Sequence, residues 1–324
     1  MNKRIAFSAL CVLSILAAAA CKPKSDGDET DTNPTDPGAA KSKDNPIEGI
    51  EPAQKLFESG AWTDGPVWNA KEKVWNFTAP LSEGGFYKVD EGGNPAKVWD
   101  GNRETGAIPI GNAVEKSGAI VTVEAKRLVR GNAPIATGYA RGAETVPFDT
   151  LNDAVAHANG TIYVTDPGYM GDPMANRIYR LDGSGKVSVI AEFQDVPRPN
   201  GIALSPDQKT LYVGFEKPFK GTKPYIEKWV VNPDGNVGGH DKFVDLEMDS
   251  SPDGIEVDTA GNLYVATKGG IVVFRPNAEP LGTIAIPEQP TGMAFGGADM
   301  KTLLVTTQGL NVFTVKVKVA GIAQ

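Results

Sequence analysis

Hydrophobic and polar residues alternate in short runs along most of this chain. From about residue 50 onward, no window keeps the 3.6-residue period of an amphipathic helix. Each apolar run is bounded instead by Gly, Pro, Asn or Asp, the residues that favour tight turns. The 37 Gly and 24 Pro of the chain, which exceed average usage, agree with many turns. The pattern predicts an all-β protein built from many short strands.

One phrase recurs along the chain, in which a first residue, most often followed by Gly, leads into apolar residues, a turn and an apolar strand. Its copies begin at Asp64, Ile110, Asn152, Asn200, Asp253 and Thr291. They are spaced by roughly 40–50 residues, the length of a four-stranded propeller blade. The repeat predicts a six-bladed β-propeller over residues 49–324. Residues 54–59 are expected to add a strand to the last blade and close the ring.

The first residues of the six phrases are expected to surround the central channel of the propeller. Four of them carry a side-chain carbonyl or carboxylate oxygen: Asp64, Asn152, Asn200 and Asp253. Oxygen ligands, two of them anionic, suit a hard cation such as Ca²⁺, with water completing its shell. Asn and Asp also precede Gly in turns because they tolerate such backbones. Four of them in one register favour a metal site over that simpler explanation.

Several of these phrases resemble the senescence-marker protein/gluconolactonase family of calcium-dependent lactonases. The phrases are LNDAVAHANGTIYVTDPGY (151–169), RPNGIALSPDQKTLYVG (198–214), SPDGIEVDTAGNLYVAT (251–267) and PTGMAFGGADMKTLLVTT (290–307). The resemblance implies a six-bladed propeller with one divalent cation at its centre. Ca²⁺ is the first expectation, with Zn²⁺, Mn²⁺ and Mg²⁺ as alternatives. A small-molecule lactone is the implied substrate.

The resemblance also implies roles for individual residues. The family's metal ligands correspond to Asp64, Asn200 and Asp253, and Asn152 lies at or next to the metal and faces the substrate. Asp253 is then the candidate general base, with Asn152 beside it in the catalytic site. Two positions depart from the family: Asp64 replaces a Glu that is one methylene longer, and Thr150 stands where an Arg is common. The second departure weakens any inference about a sugar-acid substrate.

Three further residues are candidates for lining the mouth of the site. Glu124 and Arg127 lie at a strand end in the second blade, and Tyr169 closes the turn DPGY. We expect them to contact the substrate. His157 and His240 both fall in predicted turns, so no Ser-His-Asp triad is expected.

Composition and charge narrow the remaining classes of function. The formal net charge of −8 argues against a nucleic-acid partner, because phosphate binding needs a basic surface. Two Cys and two His are too few for a Cys-rich zinc site or a His cluster. Oxygen-based chemistry remains.

The first 20 residues are typical of a secretory signal. Lys3 and Arg4 precede an apolar run that is too short to span a membrane and ends at LAAAAC. This ending resembles a bacterial lipoprotein signal, with cleavage before Cys21 and lipid on its thiol; an ordinary signal with a chance cysteine is the alternative. Residues 21–48 are expected to form a disordered tether. The pattern predicts an extracytoplasmic lipoprotein in the periplasm, outer membrane or cell surface, held on the membrane through Cys21.

Two other functions stay open at this point. A lipid-anchored propeller could bind a protein or glycan at the surface without catalysis, and the altered first ligand at Asp64 fits that view. The same metal site could also hydrolyse phosphotriesters, because a Lewis acid polarises a P=O bond as it does a carbonyl.

Overall fold

The computed structural model describes residues 45–80, 84–102, 104–169, 176–193, 198–216, 221 and 223–323. The predicted signal peptide, Cys21 and nearly all of the tether lie outside these residues. Within the described ranges, no helix has the length and apolar character needed to cross a membrane.

The described residues form a six-bladed β-propeller, as the repeat predicts, and each blade is a four-stranded antiparallel sheet. Blade 1 contains β2 (Asp64–Asn69), β3 (Val74–Thr78), β4 (Gly85–Val89) and β5 (Pro95–Asp100). Blade 2 contains β6 (Pro109–Val114), β7 (Ile120–Glu124), β8 (Arg127–Arg130) and β9 (Ala133–Ala136). Blade 3 contains β12 (Ala154–Ala156), β13 (Ile162–Asp166), β14 (Asn176–Leu181) and β15 (Val187–Phe193).

The other three blades repeat this order, and the first strand of each is the innermost. Blade 4 contains β16 (Pro199–Leu204), β17 (Thr210–Phe215), β18 (Tyr225–Val231) and β19 (Val237–Asp245). Blade 5 contains β20 (Ile255–Val257), β21 (Leu263–Thr267), β22 (Gly270–Phe274) and β23 (Pro280–Ile284). Blade 6 contains β24 (Pro290–Gly296), β25 (Thr302–Thr307), β26 (Asn311–Lys316) and, as its outer strand, β1 (Gln54–Glu58).

The predicted ring closure is confirmed by strand β1. It pairs antiparallel with β26, and Glu58 lies opposite Asn311. At the axis, the Thr291 hydroxyl of blade 6 donates to the Thr63 carbonyl oxygen, just before blade 1, at 2.7 Å. The N-terminal strand therefore completes the four strands of blade 6, and the two ends of the propeller are joined at both its outer and its inner side.

Packing of the chain begins earlier than the sequence predicts. The Asn45 side chain donates to the Leu281 carbonyl oxygen at 3.0 Å. Ile47 packs against the apolar cluster between blades 5 and 6. The prediction that the tether extends to residue 48 is therefore wrong at its end, because an apolar side chain close to a complementary surface is buried rather than left in water.

A hairpin that the repeat does not predict lies between blades 2 and 3. Its strands are β10 (Gly138–Arg141) and β11 (Glu144–Pro147). Tyr139 of this hairpin is buried, and its ring lies 5.3 Å from that of Tyr179 in blade 3. The hairpin thus covers the flank of blade 3.

Apolar side chains fill the spaces between neighbouring blades. Between blades 3 and 4, for example, Tyr163 and Ile178 pack with Leu211 and Phe215, and all four are fully buried. Each blade is too small to bury its own faces, so contact with its neighbours supplies the hydrophobic stabilisation. This packing fixes the innermost strands around the axis, where the candidate site lies.

Candidate functional site

A cavity of about 280 Å³ runs along the axis of the propeller. The four oxygen-bearing residues predicted from the repeat all line it: Asp64, Asn152, Asn200 and Asp253. The structure therefore brings these four first residues of the repeated phrases together in space. The first residues of the two other phrases, Ile110 and Thr291, do not line the cavity.

Glycines beside these residues let the innermost strands approach closely. A Cβ atom on Gly201 would lie 2.0 Å from the carbonyl oxygen of Asp253, and one on Gly65 would lie 2.3 Å from that of Ile110. Contacts this short do not occur for a real Cβ, so only Gly is accommodated at both positions. The Gly that follows the first residue of these phrases therefore allows neighbouring blades to pack closely. This close packing brings together the side-chain oxygens of Asp64, Asn152, Asn200 and Asp253, which we call the ring of oxygens.

In blade 3 an aspartate occupies the position that Gly holds in most other blades. Asp153 Oδ1 accepts from the Ala154 N–H at 2.9 Å, and its Oδ2 accepts from the Ile202 N–H of blade 4 at 3.2 Å. The carboxylate thus joins blades 3 and 4. Its carboxylate therefore holds backbone groups of two blades, and Asp153 also lines the cavity.

Four carboxyl groups share the cavity, and all four are shifted toward the protonated form. Burial raises the pKa of Asp64 to about 7, although the Gly65 N–H donates to Oδ1 at 2.8 Å. Burial likewise raises the pKa of Asp153 to about 7 and that of Glu256 to about 8. Burial and the charge of Asp64 raise the pKa of Asp253 well above its usual value. Uncompensated negative charge here favours a cation or bound protons.

The residues present fit a hard divalent cation. The Oδ1 atom of Asn200 is buried and has no hydrogen-bond partner, so it is free to act as a ligand. Among the described residues, the carboxylates of Asp64 and Asp253 form no salt bridge with Lys or Arg. The same part of the chain contains no group of three or more His, Cys, Asp or Glu side chains arranged for a metal. A cation here would therefore be held by a mixture of carboxylate and amide oxygens rather than by carboxylates alone. The residues that would supply these oxygens are Asp64, Asn200, Asp253 and the nearby Asn152.

The candidate mouth residues are placed differently from one another. Tyr169 lies beside Asn200, whose Nδ2 donates to the tyrosine oxygen at 3.2 Å, and 42% of Tyr169 is exposed. Glu124 is buried and accepts a hydrogen bond from Arg127 Nε. Neither Glu124 nor Arg127 lines the cavity. Tyr169 does not line the cavity either, but the structure brings it into contact with Asn200, whereas Glu124 and Arg127 pair with each other.

The two histidines do not complete a triad. His157 lines the cavity but is separated from Asn152 by the length of β12, and its Nδ1 accepts from the Asn159 N–H at 3.1 Å. His240 stacks on Trp229 with ring centroids 4.0 Å apart. Catalysis at the ring of oxygens would therefore depend on carboxylate chemistry rather than on imidazole.

Sequence reasoning missed Glu256 and Glu216. Glu256 stands between Ile255 and Val257 on the innermost strand of blade 5, so a charged residue within an apolar run is the signal that could have found it. Glu216 directly follows β17 and gives no such signal. Its approach to Asn200 depends on the register between β16 and β17, which the repeat alone does not specify.

The raised pKa values predict how the stability of the metal-free protein depends on pH. Unfolded Asp and Glu lose their protons near pH 4. In the folded protein Asp64 and Asp153 keep theirs up to pH of about 7 and Glu256 up to about 8. Between these limits the folded state binds more protons than the unfolded state, so a rise in pH favours unfolding. Between about pH 5.5 and about pH 7, each of these groups alone would lower the free energy of unfolding by on the order of 2 kcal/mol.

Urea unfolding in the presence of a chelator, at about pH 5.5 and about pH 8.5, measures this effect. The midpoint should be lower at the higher pH, and a Glu256→Gln variant should show a smaller difference. An equal or higher midpoint at the higher pH would contradict the assignment.

The sequence comparisons place the chain in a known family. The family model described as the SMP-30/Gluconolactonase/LRE-like region matches residues 62–309, which is most of the chain and nearly all of the propeller. The chain belongs to this family, as the repeated phrases predict.

Individual relatives agree with this assignment. The chain is 27% identical to a gluconolactonase from Zymomonas mobilis, over 83% of this chain and 82% of the relative. It is 29% identical to the pentonolactonase XacC from Haloferax volcanii, over 76% and 81% of the two chains. The solved structure of a gluconolactonase from Xanthomonas campestris superposes with a TM-score of 0.70 at 24% identity, over 82% of this chain and 89% of that one, and shows the same fold.

Proposed function

We propose that this lactonase opens a sugar lactone or a similar cyclic ester at the ring of oxygens in the central channel, with a divalent cation bound there. The observation that carries the proposal is the set of donors that line one cavity: two carboxylates without a salt-bridge partner among the described residues, and the orphaned Asn200 Oδ1. Lactonases among the family's members, including two that act on sugar lactones by name, support the substrate class.

The residues of the ring have two tasks in this proposal, which are to hold the cation and to act on the substrate. A divalent cation bound here would supply a Lewis acid that polarises the lactone carbonyl and stabilises the oxyanion. Asp64, Asn200 and Asp253 would hold it, with Asn152 beside them, and Ca²⁺ is the best match to an all-oxygen donor set that includes neutral amides. Asn152 does not titrate, so it cannot act as an acid or a base. Its task would be to orient the substrate through hydrogen bonds. Asp253 accepts the proton of the attacking water.

The reaction forms one bond and breaks another. The water oxygen bonds to the carbonyl carbon while Asp253 takes a water proton. The ring C–O bond then breaks, and the leaving oxygen takes up that proton, so the product is an open hydroxy acid. The partly exposed Tyr169 lies next to Asn200 and is placed to contact the substrate.

We also propose that the protein works outside the cytoplasm as a bacterial lipoprotein. The support is the signal-like residues 1–20 and the Cys that follows them. Lipid on Cys21 would tether the propeller to the membrane. Metabolic labelling with a fatty acid, compared between the natural chain and a Cys21→Ser variant, tests this placement.

Initial rates on a substrate panel test the proposed activity. With calcium supplied, the purified protein should open five- and six-membered sugar lactones, with kcat/KM in the range of about 10⁴–10⁸ M⁻¹s⁻¹ for its preferred substrate. Phosphotriesters in the same panel should react far more slowly. Faster phosphotriester hydrolysis would replace the proposed substrate class. No turnover with calcium, zinc, manganese or magnesium would favour a non-catalytic binding protein.

A further inference from the structure

One residue of the ring, Asn200, is oriented by side chains outside the cavity. Asn200 is only 5% exposed. Its Nδ2 donates to Glu216 Oε1 at 2.5 Å and to the Tyr169 oxygen at 3.2 Å. Both bonds are made by the same end of the amide, so the opposite end, Oδ1, is the one left without a partner.

Glu216 itself is held in place from the rim of the channel. It follows the last residue of β17, in the blade whose innermost strand carries Asn200. The Tyr169 hydroxyl donates to Glu216 Oε1, and the Arg198 guanidinium lies 5.3 Å from the centroid of the Tyr169 ring. Glu216 is not among the residues that line the cavity. Among the residues of the ring, Glu216 forms a hydrogen bond with Asn200, and its charge also raises the pKa of Asp253.

The carboxylate allows only one orientation of the Asn200 amide. With Nδ2 toward Glu216, a donor faces an acceptor. If the amide turned over, Oδ1 would lie against the carboxylate at the same short distance, two acceptors would face each other, and the N–H₂ group would point at any bound cation. Because the amide is buried, water cannot replace the lost bond.

We propose that Glu216 is a positioning residue that fixes the Asn200 amide so that its oxygen is presented to a divalent cation in the channel. This inference rests on the proposed function, because it assumes that the ring binds a cation. Outer hydrogen bonds of this kind commonly account for 10- to 100-fold in metal affinity.

Calcium titration of the chelator-treated protein tests the proposal without reference to activity. Glu216→Ala removes the acceptor and should weaken calcium binding by about 10- to 100-fold. Glu216→Gln keeps an acceptor oxygen for Asn200 Nδ2 and loses the charge, so binding should stay within about threefold of the natural protein.

Glu288→Ala is the matched control. Glu288 also accepts a hydrogen bond from an asparagine Nδ2, that of Asn311, but neither residue lines the cavity. The control should lose stability while keeping the natural calcium affinity. Thermal unfolding of each variant, with and without calcium, shows whether it is folded and whether calcium raises its midpoint.

The possible outcomes separate this inference from the proposed function. If the natural protein binds no calcium, the proposed cation site fails and the inference fails with it. If the natural protein binds calcium and Glu216→Ala binds equally well, only the inference is overturned. Equal weakening in Glu216→Ala and Glu216→Gln would show that the charge acts at a distance, which also overturns positioning. A loss confined to Glu216→Ala supports it.

Discussion

Replacing Asp253 by Asn is expected to reduce kcat/KM for lactone opening by about 10²- to 10⁴-fold, which is the range for loss of a general base. Asn has nearly the same shape but cannot take a proton from water. The same change should stabilise the metal-free protein, because it removes a carboxyl group whose ionisation is opposed by burial and by the charges of Asp64 and Glu216. Activity and stability should therefore change in opposite directions.

Two measurements check this expectation: initial rates on the preferred lactone, and urea midpoints in chelator at about pH 8. Asp245→Asn is a matched control, since Asp245 is exposed, forms an ion pair with Lys242 and does not line the cavity. It should keep natural activity. A fully active Asp253→Asn protein would remove Asp253 from the mechanism, and an inactive but less stable one would point to loss of the fold.

Replacing Gly201 by Ala is expected to damage both the fold and the site. The added Cβ would meet the Asp253 carbonyl oxygen at 2.0 Å, and that atom belongs to the backbone, which cannot move aside without shifting a blade. Overpacking of this kind costs about 1–3 kcal/mol, and we expect the upper part of that range. Because Asn200 and Asp253 flank the contact, calcium affinity should fall as well.

Gly183→Ala provides the comparison, because a Cβ at Gly183 would meet no atom within 4 Å. Urea unfolding and calcium titration of the two variants measure the difference. If Gly201→Ala matched Gly183→Ala in both its urea midpoint and its calcium affinity, the ring of oxygens would not depend on the close approach of blades 4 and 5.

The sequence contains enough information to predict the fold and the ring of oxygens. Each blade repeats one phrase, and propeller symmetry places the same position of every phrase at the axis. This is why Asn200 and Asp253 are recognisable from the amino-acid sequence alone, and why the pairing of β1 with β26 that closes the ring is predictable as well. The family match over residues 62–309 confirms the class of protein.

The side chains that hold the residues of the site in position could not be predicted in the same way. Glu216 reaches Asn200 only because β16 and β17 pair in one register, with a bulge between Pro199 and Ile202. The sequence predicts Glu124 at the mouth because it lies at a strand end, but its carboxylate pairs with Arg127 and is buried. Period and composition locate the ends of strands, whereas hydrogen-bond partners depend on register and side-chain direction.

The acidic residues around the cavity give the proposed cation a second effect, which is on the stability of the protein. Burial raises the pKa of the four carboxyl groups around the cavity, and the charge of a neighbouring carboxylate raises the pKa further for three of them. A bound divalent ion would offset this charge, and a ligand that binds only the folded state stabilises it by an amount that grows with the logarithm of its concentration relative to Kd. The same charges that destabilise the metal-free protein at neutral pH would hold the ion.

The calcium dependence of lactone opening tests the central claim most directly. Protein treated with a chelator and then freed of it should open the preferred lactone at a negligible rate. Added calcium should restore the rate along a saturating curve, and the Asp253→Asn protein should stay inactive at every calcium concentration. A metal-stripped protein that opens the lactone at its full rate would contradict the account.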